Sequence, residues 1–479
     1  MQLIIIAVIA LAGYVLGTNL SAGDPKVVMG LLAFLGVLAA FSRPFLVLLL
    51  LLFLAPFHGV ARAYWIGPTG ALWKEFLAVC LTVGWLMRQI VHRQKLKPNG
   101  LNLPIGLFTI LAVMHAFTSP TLLQGLYELK KMVPFIPIFF FLANNPLTKS
   151  QLKKVVNGIL IVGTFTALIG IGQWLVGGGW LLEKGLMYVG RNVAFPNANF
   201  LRVWSTFGGP GFFAANLLVY LFIATAMLVS KDTELNKNRL LFIVVVLFAS
   251  LVFTMSRGPT LLYGIGLVGI SNMSGRKSPL LLMLGAALAI LFIFPAAIRE
   301  RAAMTFGSED ASWQFRMWFL FNVGIPDMIQ HPLGAGLGTT RGFNYGVVSG
   351  LSEATGFTGA FERLEGGTEN GYLHIGIQMG FPGLLLFIWI FFQYMGTGFG
   401  IFRRLTDPYL KAIALGALAV NLEVILGNML GVAFDAFPLD LYYWCLAGLL
   451  VTLPEVEENE KKLAAEAAEK PRPPYPLMR

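Results

Sequence analysis

Charge is what this chain has least of. Only 12% of its 479 residues are Asp, Glu, Lys or Arg, against 56% hydrophobic, and the mean hydropathy is +0.72. Soluble domains carry roughly 25% charged residues, so the deficit excludes a water-soluble globular fold and predicts an all-α polytopic membrane protein. Cysteine is scarce as well. Cys80 and Cys445 lie far apart in apolar stretches, which excludes a disulfide framework and a Cys-based metal site. No His/Cys/Asp cluster has metal-ligand spacing and no D-x-D or paired-acid motif stands out; no metal or other cofactor is expected. The opening stretch LIIIAVIALAGYVLG lacks a basic flank and an A-x-A cleavage site, so it is expected to be a first span rather than a removable leader. The net charge is +11. In so apolar a chain a basic excess records orientation across a bilayer, and no nucleic-acid partner is expected.

What is present is a succession of apolar runs, each of a length that crosses a bilayer (about 17–25 residues). They fall near 2–17, 26–42, 44–61, 72–90, 103–118, 128–143, 155–176, 208–230, 239–255, 258–273, 279–297, 371–396, 410–430 and 438–453, about fourteen spans (12–14) in one transmembrane domain, 1–453. Alternate connections are basic: RQIVHRQKLK (88–97), LTKSQLKK (147–154), KDTELNKNR (231–239), GRKS (275–278) and FRRL (402–405). The positive-inside rule then places both termini in the cytoplasm. The remainder, 454–479, is charged and Pro-rich and is expected to be a mobile cytoplasmic tail. Two long segments are left outside, 177–207 and 298–370, the latter between the eleventh and twelfth spans. A connection that long is usually functional.

The polar residues of the outer face carry the chemistry. Arg257 stands between two apolar runs in FTMSRGPTLLYGIG (253–266). An ionised side chain at bilayer depth costs from ~2.5 to more than ~10 kcal/mol, so such residues face a polar cavity or a ligand. Arg202, Arg316 and Arg341 share its side, and their planar forks suit a phosphate-bearing lipid headgroup. Glu369 and Asn370 stand at the mouth of the twelfth span, where a carboxylate would remove a proton from a hydroxyl or cap a helix. His331 is read as a base or a local hydrogen-bond partner, and His374 as a buried structural histidine. The run HPLGAGLG, with glycines at 334, 336 and 338, is read either as an anion cradle or as a plain turn. Gly380 and Gly383 around Pro382 predict a kink in the twelfth span. Asn421 and Glu423 fit interhelical hydrogen bonding, and Asp435 a solvated turn.

Four of these stretches, in this order, resemble the bacterial O-antigen ligase and O-antigen polymerase superfamily over roughly 195–400: Ser256-Arg257-Gly258 at the outer end of a span, Arg316 with Trp318, the HPLGAGLG run with His331, and ENGYL…MGFPGLLLF. The resemblance implies a GT-C-like inner-membrane glycosyltransferase. It would use an undecaprenyl-diphosphate-linked glycan as donor and a glycan acceptor, work among membrane lipids, and act in the periplasm without metal and with inversion. It implies that Arg257 and Arg341 bind the diphosphate, that Arg202 and Arg316 line the same cavity, and that the base stands at Glu369. Ligases of the family carry a histidine at that place; the acidic residue here tilts the reading toward a polymerase of O-antigen or exopolysaccharide and leaves His331 and His374 as other candidate bases. Asn370, Tyr372, Trp313 and Trp318 are expected to contact sugars, as is Tyr345. The rivals are a ligase to lipid A core or to protein and, in another class, a transporter of lipid-linked glycans or anions.

Overall fold

A computed structural model describes residues 39, 41–66, 72–186, 201–231, 235–292, 311–340 and 370–469. Six helical stretches among them are long and apolar enough to cross a membrane: Pro44–Tyr64, Lys149–Glu183, Pro210–Val229, Gly371–Arg404, Pro408–Leu430 and Leu439–Glu466. In chain order the helices are α1 (Pro44–Leu54, continued by short turns to Ile66), α2 (Trp73–Val91), α3 (Asn102–Phe117), α4 (Leu122–Met132), α5 (Ile136–Asn144), α6 (Lys149–Glu183), α7 (Pro210–Val229), α8 (Lys237–Phe253), α9 (Arg257–Ser274) and α10 (Ser278–Phe292). After them come α11 (Ala311–Phe319), α12 (Ile325–Gln330), α13 (Gly371–Arg404), α14 (Pro408–Leu430) and α15 (Leu439–Glu469). The polytopic all-helical class stands. The first predicted span and most of the second lie outside the described residues.

α7 is apolar on every face and buried along nearly all of its length, as expected of a central helix. α14 packs on it at backbone range: a Cβ on Gly416 would come within 3.2 Å of the Ile223 Cα. Small residues at such crossings let membrane helices approach when no hydrophobic effect drives them together. Peripheral helices instead turn large apolar side chains outward, among them Ile110, Phe117, Phe165, Phe242 and Phe392.

Three expectations need adjustment. The stretch 128–143 is not one span: Pro134 follows α4, and the chain restarts as α5 after Phe135, because proline lacks the N–H and disfavours helix in the residue before it. The stretch after Leu453 is helical as far as Glu469, passing through Pro454. Its acidic side chains find partners there: Lys97 Nζ reaches Glu455 at 2.7 Å, and Glu457 accepts from Thr406 N at 2.7 Å. Finally, α6 breaks at Gly177 (φ 78°), where the sequence-read span ends, and runs on to Glu183.

Hydrogen bonds join several of the connections in two groups. The basic group is tied by Lys97–Glu455, Lys149–Asp407 and Thr406–Glu457. The other group is tied by Val60 N to Thr206 O (3.0 Å), Leu337 N to His115 O (3.2 Å) and Gly371 N to Gly431 O (3.0 Å).

Candidate functional site

Around the C-terminal end of α14 two of the sequence motifs meet. On one flank the chain leaves α8 at Phe253, turns through Met255 in a left-handed conformation (φ 51°), and starts α9 with Arg257 as its first residue. A non-glycine residue held there costs of order 1–3 kcal/mol and such strain clusters at functional sites. Arg202 holds the turn: its Nε donates to Thr254 O at 3.0 Å and its Nη2 to Ser256 Oγ at 3.2 Å. Gln173 fixes the same segment from α6, accepting from Ser205 N at 2.7 Å and donating to Ser205 O at 3.0 Å. Arg202 and Arg257 are thus brought together, but Arg202 acts on the turn itself. Loss of charge-assisted hydrogen bonds costs about 1.5–3 kcal/mol, so Arg202→Ala is expected to lower the thermal unfolding midpoint in detergent, with Arg202→Lys retaining part of the loss because it cannot span both acceptors.

The Arg257–Gly258 step abuts α14: a Cβ on Gly258 would lie 3.0 Å from Leu430 Cδ1. On the other flank of the same helix end, Gly371 N donates to Gly431 O, and a Cβ on Gly371 would overlap the Asn428 side chain. Asn370 is the N-cap of α13; its Oδ1 accepts from Tyr372 N at 3.0 Å and Leu373 N at 3.1 Å. Tyr372 donates its hydroxyl to Ile425 O at 2.7 Å and packs edge-on against Phe387. Both side chains, expected to meet sugars, here fix the start of α13. Arg341, Tyr345 and Glu369 lie outside the described residues, as does the Trp313 side chain.

The segment 311–340 folds back onto α13. Phe319, Val323 and Met328 form a small core with Leu373 and Ile377, with Trp318 against its edge; Arg316 is half-buried on α11. This core packs on Leu373 and Ile377 in the first turns of α13. His331 ends α12 half-exposed, its Nδ1 3.2 Å from the carboxylate of buried Asp327.

The glycine run settles as the plain turn. Its N–H groups are occupied: Ala335 N by Ile377 O (2.9 Å), Gly336 N by Gln378 O (3.0 Å), Leu337 N by His115 O (3.2 Å) and Gly338 N by Gln378 Oε1 (2.7 Å). Gly334, Gly336 and Gly338 all have φ between 80° and 99°. α13 breaks at Gly380 (φ 66°) against this strap, as the Gly/Pro cluster predicts, and Phe381 N donates to Pro332 O at 2.9 Å. A Cβ on Gly334 would sit 2.6 Å from Gln378 O, and left-handed backbone adds its own penalty of roughly 1–2 kcal/mol. Gly334→Ala is therefore expected to destabilise the protein by at least ~2 kcal/mol, read as a lowered unfolding midpoint or loss of monodisperse protein.

Sequence reasoning missed a charged cluster on α2 and α4. Glu128 Oε1 lies 3.1 Å from His374 Nε2, with both side chains buried. Lys131, Asn428 and Trp444 line the same cavity as this pair. Nearby, Glu75 is shared by Lys74 (2.8 Å) and Lys130 (3.5 Å), and the Lys74 ammonium stands 4.5 Å over the Phe437 ring. The signal was in the text: WKEF and ELKK put charges at the ends of apolar runs on the face where the alternation expects few. Among the described residues no three His, Cys, Asp or Glu side chains are grouped to hold a metal ion.

Residues 242–388, which include the Ser-Arg-Gly turn, the folded-back segment and the first turns of α13, match a family model described as O-antigen ligase. No curated protein matches the chain. The family match supports the superfamily resemblance drawn from the motifs, and with it a membrane protein of glycan ligase or polymerase type that transfers glycosyl groups.

Proposed function

From the support that residues 242–388 give to the O-antigen ligase and polymerase superfamily, we propose that the chain is a bacterial inner-membrane glycosyltransferase. Its donor is an undecaprenyl-diphosphate-linked oligosaccharide, and it forms the glycosidic bond at the periplasmic surface, extending a polysaccharide chain. The observation that carries this reading is the meeting of two motifs at one helix end: Gly258, next to Arg257, abuts α14 at Leu430, and the start of α13 reaches it at Gly431. Glu369 is the residue before Asn370, the cap of that start.

Arg257 is the first residue of α9, so its guanidinium adds to the partial positive charge of that helix N-terminus in attracting an anion. With Arg341 it clamps the donor diphosphate, while Arg202 shapes the turn and Arg316 adds charge to the rim. Glu369 takes the proton of an acceptor sugar hydroxyl. The oxygen forms its bond to the anomeric carbon from the face opposite the leaving group, the anomeric C–O bond breaks, and undecaprenyl diphosphate departs with the bonding pair. The arginines stabilise the charge that develops on it, a role that needs no metal. Trp313 and Trp318 supply surfaces for sugar rings. His331, oriented by Asp327, is the alternative base; His374 has both ring nitrogens engaged.

A ligase reading is favoured by the description of the matching family and shares every step but the acceptor. Purified protein given lipid-diphosphate-linked repeat units in the presence of a chelator is expected to produce a ladder of longer chains. Transfer only when lipid A core or a protein acceptor is added would establish the ligase, and no new glycosidic bond with any acceptor would refute the proposal.

A further inference from the structure

We infer that α12 and the first segment of α13 lie in the plane of one membrane surface, the one at which α14 ends, and that the outward stripe Phe321, Ile325, Ile329 and Leu333 rests in the acyl layer of the bilayer. The inference goes beyond the functional reading and does not depend on which bond the protein forms.

Backbone contacts set the depth. α13 is broken at Gly380 into a short segment, 371–380, and a long one, 381–404. The long segment runs antiparallel to α14: the chain turns between them at residues 405–407, and Asn421 Nδ2 donates to Phe391 O at 3.2 Å. Phe381 and Gly431 are equally many residues from that contact, toward the same end, so the two reach about the same height. Gly371 N donates to Gly431 O at 3.0 Å, which brings the other end of the short segment to that height as well. The short segment therefore runs across the end of the bundle rather than away from it. α12 follows it in the same direction: Gly324 abuts Leu373, Met328 abuts Gly376 and Gly334 abuts Gly380.

The side chains divide accordingly. Val323 and Met328 face inward, onto Leu373 and Ile377. Phe321 (64% exposed), Ile325, Ile329 (64%) and Leu333 (72%) recur at every fourth position on the outside, Phe321 in the wide turn Leu320–Gly324 that joins α11 to α12. Asn322, Gln330 and His331 are exposed beside them. A contiguous apolar stripe of large side chains marks an interaction surface, and a stripe with a polar flank is the pattern of a helix lying in the bilayer interface. The occupant is lipid because the stripe continues onto a helix that is long and apolar enough to cross a membrane. Phe381 N donates to Pro332 O at 2.9 Å, so Leu333 meets the start of the long segment of α13. There Phe381, Leu385 and Phe392 carry the exposed apolar surface on along the helix. His331 ends α12, so the depth of α12 is also the depth of that candidate base, at the headgroups.

The test uses the full chain in phospholipid vesicles. First, the parent protein is illuminated with a phospholipid that carries a diazirine on its acyl chain, and the adducts are mapped by peptide. Adducts are expected within 320–333 as well as within 381–392. Second, a fluorophore is attached to single cysteines introduced as Ile325→Cys, Ile329→Cys, Asn322→Cys and Gln330→Cys; the native Cys80 and Cys445 are both buried. The labels at 325 and 329 are expected to lose emission with brominated acyl chains and to keep it with aqueous iodide, and those at 322 and 330 to do the reverse. Should the cysteine variants fail to fold, the cross-link on the parent decides alone. Adducts within 381–392 with none within 320–333 would overturn the inference. So would iodide reaching 325 and 329 as readily as 322 and 330, which would put the stripe in water. Labels at 325 and 329 shielded from both quenchers would overturn it too, by showing that protein covers the stripe.

Discussion

Arg257→Lys is expected to lose most of the transfer activity while the protein still folds. The substitution keeps the charge and removes the fork. A guanidinium gives a phosphate two parallel hydrogen bonds in fixed geometry; an ammonium is a point charge on a flexible stem. One hydrogen bond between charged groups is worth about 1.5–3 kcal/mol, roughly a 10- to 150-fold loss in kcat/KM. The fold should survive because the turn that carries Arg257 is braced by Arg202 and by the Ser256 cap position, neither of which the change touches. Unfolding midpoint and kcat/KM measured on one preparation separate the two effects. A Lys variant with full activity would remove Arg257 from the diphosphate clamp.

The second large effect is expected at Glu369. General-base catalysis contributes typically 10²–10⁴-fold, and Glu369→Gln removes the base with little change of shape, so kcat should fall by roughly that factor. Donor KM should move by no more than about threefold, since the carboxylate acts on the acceptor hydroxyl rather than on the diphosphate. If the Gln variant instead turns over normally, helix capping is what remains for Glu369, and Asn370 already fills the cap position of α13. His331 would then be the base to test, with Asp327 as the carboxylate that orients its ring.

How much of this was legible in the sequence differs from residue to residue. Arg257 announced itself because an arginine between two apolar runs has a large energetic consequence wherever it sits. The break at Gly380 was legible for a similar reason, since glycine and proline act on the backbone locally. The glycine run was not resolved by its own letters. An anion cradle and a tight strap ask for the same glycines, and only the partners of Ala335, Gly336, Leu337 and Gly338 decide between them. Glu128 and His374 were the hardest: they meet across 246 residues of sequence, and periodicity carries no information about contacts at that range. Reading 128–143 as one apolar run hid Glu128 further, because it turned the end of an amphipathic helix into the start of a span.

Arg202 teaches the complementary lesson. Its side, neighbours and residue type all fitted a phosphate ligand, and the structure does bring it next to Arg257. Its fork nevertheless holds Thr254 and Ser256, so it contributes by shaping the turn from which Arg257 projects. Residue type and position could not tell a phosphate ligand from a brace for the turn; the hydrogen bonds show the brace.

The most direct measurement is a count of polyprenyl diphosphate released per glycosidic bond formed by the purified protein, with a labelled lipid-diphosphate-linked glycan as donor. The account predicts one carrier released for each new bond, and parallel loss of both products in Arg257→Lys. Movement of the intact donor across the bilayer with no carrier released would contradict it.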